Sequence, residues 1–219
     1  MDFFFQIIDV DYEMVGDKPI VRIFGKCEDS KTACLFVDDF LPYFYVMPME
    51  SGKDVTKFLQ DRFGKEIISI DEVERFLPHC YKKDKAKMLK ITCKDPSKVR
   101  DMRDEIWKEG IAKKIFEADI LFKYRFMADR DLHGTRWYKV TGTPVNTITV
   151  RAERKFNLVS ITPAEERPFA FRTMSIDIEI ATLEGLPDAN HDPIIMISLA
   201  FEPKFQRTFE NGRIFVAGV

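Results

Sequence analysis

The chain has 219 residues, 45% of them hydrophobic and 32% charged, with 20 Phe and a formal net charge of -2. This is enough for one large or two small domains with aromatic-rich cores, and it excludes collagenous, coiled-coil and disordered chains. No apolar run approaches the ~20 residues of a spanning helix and Met1-Asp2-Phe3 lacks the basic start of a signal peptide, so a cytoplasmic protein with no membrane role is expected.

The small net charge hides an uneven distribution. Residues 1–80 carry 9 basic against 16 acidic side chains, 81–125 carry 14 against 8, and 126–219 carry 11 against 12. The cationic middle suits a phosphate backbone, although lysines such as those of Tyr81-Lys82-Lys83-Asp84-Lys85-Ala86-Lys87 equally suit a solvated surface. Cys27, Cys34, Cys80 and Cys93 contain no Cys-x-x-Cys pair, so zinc and dithiol chemistry are set aside in favour of buried or idle thiols. His79, His133 and His191 are isolated, and no Gly-rich phosphate loop is present. Trp107 and Trp137 are expected to be packing residues.

In chain order, Phe3–Val10, Pro19–Phe24 and Ala33–Val37 have the composition of short strands and predict a small antiparallel sheet. Tyr43–Val46 predicts a strand. Lys53–Phe63 puts Val55, Phe58, Leu59 and Phe63 on one helical face, with Gly64 as its stop. Strands follow at Glu66–Ile70 and Lys87–Thr92. Asp95-Pro96 then supplies an N-cap and first-turn proline for a helix bearing Val99, Met102 and Ile106 on one face, ended by Gly110. Ile111–Phe116 closes the series, whose β-α-β-β-α-β order is ferredoxin-like.

Turn formers and charges from Thr141 to Pro168 predict a linker with weak strands between a domain over 1–140 and a second over 169–219. In the latter, Phe171–Ile180, Ile194–Phe201 and Arg213–Val216 are strand-like. Three strands without covering helices give the C-terminus the look of a cut or a subunit boundary. The fold class is thus α/β in the α+β sense.

The segment Met174-Ser175-Ile176-Asp177-Ile178-Glu179-Ile180 carries the strongest chemical signal. Residues two apart on a strand share a face, so Asp177 and Glu179 project together, opposite Ile176, Ile178 and Ile180. Two neighbouring carboxylates on a strand otherwise built for burial call for compensation, which a hard divalent cation such as Mg2+ or Mn2+ supplies. A solvated Asp-x-Glu on an edge strand has the same pattern.

With Pro193-Ile194-Ile195-Met196-Ile197-Ser198 as the following strand, this segment resembles the first exonuclease motif of the family B DNA polymerases. The stretches Ile7-Ile8-Asp9-Val10-Asp11-Tyr12, Pro19-Ile20-Val21-Arg22-Ile23-Phe24, Leu41-Pro42-Tyr43-Phe44-Tyr45 and Ile115-Phe116-Glu117-Ala118-Asp119-Ile120 are similar to archaeal members, in the family's order. The resemblance implies an N-terminal DNA-binding domain followed by the opening of a ribonuclease H-like 3′ to 5′ proofreading exonuclease. Asp177 and Glu179 would then be catalytic ligands of a two-metal site. Later exonuclease motifs and the polymerase palm have no counterpart in these residues, so the 219 residues alone are expected to be inactive. In archaeal relatives the N-terminal domain holds a pocket for template uracil. The matching positions are Tyr12, Pro42, Tyr43, Pro96, Val99, Arg103, Ile120, Phe122 and Arg125, with Leu121 where relatives carry proline. DNA is the implied partner, as template strand and primer 3′ end; the rest of the polymerase as a second chain, and a sliding clamp for the full enzyme, are further expectations. The alternatives are a non-catalytic module or split-polymerase subunit that binds uracil-containing single-stranded DNA, and a structural remnant that binds nothing.

Overall fold

The computed structural model describes residues 1–77, 84–167, 173–182 and 185–202. The chain divides into two compact units, Met1–Glu166 and Arg167–Val219.

The first unit begins with β1 (Asp2–Val15), β2 (Lys18–Cys27) and β3 (Thr32–Val37). They form a closed barrel with β8 (Trp137–Pro144) and β9 (Arg154–Pro163), ordered β1-β2-β3-β9-β8. The stretch 141–168, expected to hold a linker with weak strands, thus includes a strand that closes the barrel by pairing in parallel with β3 and antiparallel with β8. The pairing with β3 joins positions more than a hundred residues apart, beyond the reach of local periodicity.

β1 contains a register shift between Ile7 and Asp9, opposite Gly25 of β2. An extra residue in a strand reverses the phase of its alternation. Phe3, Phe5 and Ile7 are buried before the bulge and Val10 after it. Tyr12 follows in the new phase. A Cβ on Gly25 would lie 2.0 Å from the Gln6 carbonyl oxygen and 2.5 Å from Phe5 Cζ, so only glycine lets β1 and β2 approach here.

The expected ferredoxin-like unit is present as β4 (Tyr43–Pro48), α1 (Gly52–Phe63), β5 (Ile67–Arg75), β6 (Ala86–Cys93), α2 (Lys98–Glu109) and β7 (Ala112–Phe116). Its antiparallel sheet runs β5-β6-β4-β7. Phe44, Val46, Leu89 and Ile91 of the sheet form one buried cluster with Val55 and Leu59 of α1 and Val99, Met102 and Ile106 of α2. Asp95 caps the turn leading into α2, its Oδ1 accepting from the Ser97 N–H at 2.8 Å. Gly110 ends the helix at φ +73°, a left-handed conformation that glycine adopts without strain. Trp137 is buried, but Trp107 is 61% exposed, which corrects the packing role expected of it. Position 107 follows Ile106 on α2 and faces away from the cluster.

The sequence reading assigns no helix to α3 (Phe122–Asp129). It is only eight residues long, and neither a side-chain N-cap nor an acidic first turn announces it. Tertiary packing holds it, since Phe122 and Phe126, one turn apart, enter the barrel's core cluster.

In the second unit, β10 (Thr173–Ile180) and β11 (Ile194–Glu202) form an antiparallel pair. The strand expected at Arg213–Val216 lies outside the described residues. No described helix is long and apolar enough to cross a membrane.

A candidate nucleic-acid cavity and an acidic strand

A cavity of about 530 Å3 opens in the first unit between α2, the β7–α3 connection and the entry to β4. Its volume lies within the ~300–1,000 Å3 typical of small-ligand clefts. All nine sequence-derived positions line it: Tyr12, Pro42, Tyr43, Pro96, Val99, Arg103, Ile120, Phe122 and Arg125. They come from four places in the chain, brought together where the barrel's core meets that of the ferredoxin-like unit.

The apolar wall is built by packing. Tyr12 stands edge-on to Phe122, with ring centroids 5.1 Å apart, and Phe122 in turn packs against Phe40 at 5.4 Å. Val99 and Phe122 are almost wholly buried, whereas Ile120 remains 43% exposed. Leu121 has φ -59° and ψ 136°, close to the φ that a proline ring imposes, so the backbone here is compatible with the proline of relatives.

A polar network supports the opposite side. The Tyr43 hydroxyl donates to Asp129 Oδ2 at 2.5 Å and accepts from Arg125 Nη1 at 3.4 Å. Arg125 Nη2 donates to Glu117 Oε2 at 2.5 Å, and its guanidinium lies 4.8 Å from the Tyr43 ring centroid. Lys90 Nζ lies 4.0 Å from the same centroid. Burial, and then the hydrogen bond to Asp129, push the Tyr43 phenol well above its ordinary value. For Arg125, burial works against the cation, but Tyr43, Glu117 and Asp129 together outweigh it and the pKa rises. The Arg125 charge is therefore matched within the chain, and its geometry braces the wall.

Sequence reasoning missed several lining residues. Glu117, which holds Arg125, has φ +64°, an uncommon conformation for a side chain bearing Cβ. Arg100 also lines the cavity. It is exposed, and among the described residues it makes no ion pair. By contrast, Arg103 donates to Asp104 Oδ1 at 2.7 Å and Lys123 Nζ lies 3.7 Å from Asp9 Oδ1. The signal for Arg100 was available in the spacing, since it lies one turn after Pro96 and three residues before Arg103 on α2.

In β10, Asp177 is paired with Ser198 and Glu179 with Met196. Asp177 Oδ1 accepts from the Ile178 N–H at 3.1 Å. Ile176, Ile178 and Ile180 are exposed, as are Ile194 and Ile195 of β11. Among the described residues no cluster of three or more His, Cys, Asp or Glu could hold a metal ion. Two carboxylates nevertheless suit a hard cation that draws its other ligands from water and phosphate oxygens.

A family model for the exonuclease domain of family B DNA polymerases matches residues 113–217, a span that includes the acidic strand. DNA polymerase 2 of Aeropyrum pernix is 32% identical over 206 residues, covering 89% of this chain and 25% of the relative. The chain is similar to the family B DNA polymerases over both of these spans. The DNA polymerase delta catalytic subunit of Arabidopsis thaliana is 32% identical over 216 residues, covering 84% of this chain and 20% of that protein. The solved family B polymerase of Pyrobaculum calidifontis has the same fold with a TM-score of 0.70 at 24% identity, covering 96% of this chain and 27% of its own. The chain thus spans about a quarter or less of the length of these curated relatives.

Proposed function

We propose that this chain serves a DNA polymerase in two ways: its cavity receives a uracil base from the single-stranded template, and Asp177 and Glu179 supply part of the metal site of a 3′ to 5′ exonuclease. The observation that carries the first reading is the convergence of nine positions, taken from similarity to archaeal relatives, on one cavity. An extruded base needs apolar surfaces for its faces, polar groups for its edge and cations for the flanking phosphates. Val99, Ile120 and Phe122 offer the first of these, and Arg100 and Arg103 the last.

Discrimination against thymine rests on one methyl group. A tight apolar wall rejects such a group by roughly 10- to 200-fold. Fluorescence anisotropy of the 219-residue chain with labelled single strands, differing only by one uracil or one thymine, measures this directly. A preference for uracil of at least about tenfold, with affinity falling as salt rises, is expected. Equal affinities would refute the reading, and binding of neither strand would support the structural remnant instead.

At the acidic strand, Asp177 and Glu179 would hold Mg2+ or Mn2+. When bound, the ions activate a water and stabilise the leaving oxygen of a phosphodiester. The chain's own part is to present both carboxylates on one side of β10 toward the primer 3′ end.

A further inference from the structure

A second groove of about 460 Å3 is lined by Arg103, Asp104, Trp107, Lys114, Ile115 and Phe116. Arg103 borders both spaces. Along α2, the cavity-lining residues Val99, Arg100 and Arg103 follow helical spacing, and Trp107 continues the stripe one turn beyond Arg103, about 6 Å along the axis. A surface tryptophan needs no explanation by itself. This one stands 61% exposed in a groove that shares Arg103 with the candidate base site and is also lined by the exposed Lys114.

We infer that this groove is a second nucleotide subsite, in which Trp107 stacks on the base adjoining the one held in the cavity while Arg103 and Lys114 face the connecting phosphates. The occupant is single-stranded DNA rather than a protein segment, because the groove joins an aromatic face to two cations. These are the two parts of a sequence-tolerant single-strand platform. Asp104 modulates the subsite, since its carboxylate neutralises Arg103 until a phosphate competes for the guanidinium. The inference rests on reading the cavity as a base-binding site, but the platform makes its own prediction. Its contribution should be indifferent to whether the neighbouring base is uracil or thymine.

The test uses Trp107→Ala and Trp107→Phe in the 219-residue chain, with thermal melting to establish that both variants fold. Single strands carrying one uracil or one thymine, and the mononucleotide deoxyuridine monophosphate, are the probes. Trp107→Ala should weaken binding of both strands at least about fivefold, the lower end of base–aromatic stacking, and leave the uracil-to-thymine ratio and mononucleotide binding unchanged. Trp107→Phe should retain most of the strand affinity. The wild-type chain should lose tryptophan fluorescence on binding strand, a quench missing in Trp107→Phe because Trp137 is buried. Unchanged strand affinity in Trp107→Ala, or an equal loss for the mononucleotide, overturns the subsite. A Trp107-dependent quench without uracil preference would retain the platform and refute the cavity reading alone.

Discussion

Tyr43 shows how much one side chain contributes to the wall of the cavity. Its hydroxyl bridges Asp129 and Arg125, and its ring lies under two cations. Tyr43→Phe keeps the ring and removes the bridge, with an expected loss of about 1.5 kcal/mol, as for a hydrogen bond to a charged group. Chemical denaturation of the two chains at neutral pH measures it. The pH dependence has a definite sign. An unfolded phenol ionises near 10, whereas folded Tyr43 holds its proton to higher pH. The stabilisation is therefore complete below pH 10 and is lost as pH rises through the folded value. Buried Cys34 and Cys93, whose thiols burial pushes up to about 12 from 9.0, act in the same direction from a lower starting pH. Unfolding free energy should accordingly decline as pH is raised above about 9, with a shallower decline beyond 10 in Tyr43→Phe. A stability that rises through this window would contradict the assignment.

At the scale of elements, the legible and illegible parts of the fold separate by range of interaction. The ferredoxin-like unit could be read because each helix shows its buried stripe locally, as Val99, Met102 and Ile106 do on α2. The closure of the barrel by β9 and the folding of 122–129 into α3 could not, because both depend on distant partners. The cavity residues were found by resemblance to relatives. Glu117 was missed because a turn glutamate at positive φ leaves little trace in the sequence, whereas Arg100 could have been found from its spacing to Arg103. The bulge in β1 was equally hidden, yet it sets the phase in which Tyr12 meets Phe122. Gly25→Ala should cost about 2–3 kcal/mol, because its Cβ collides with the backbone of Gln6 as well as the ring of Phe5. Calorimetric melting of this variant checks the point, and an unchanged melting temperature would show that β1 and β2 can separate at no cost.

At the scale of the whole molecule, the two units present unequal chemistry. The first brings a complete cavity within its own residues. The second presents two carboxylates on a strand pair whose exposed isoleucines lie along β10 and β11. In the full-length protein, Asp177→Ala combined with Glu179→Ala should reduce metal-dependent excision by several orders of magnitude while leaving uracil affinity within about twofold, since neither carboxylate lines the cavity. Undiminished excision would remove the metal role from these residues. Where the uracil base goes decides the proposed function, and a co-crystal of the 219-residue chain with a uracil-containing single strand answers that directly. Electron density for the uracil ring is expected among Pro42, Val99, Ile120 and Phe122; an empty cavity with the base bound elsewhere on the chain would contradict the proposal.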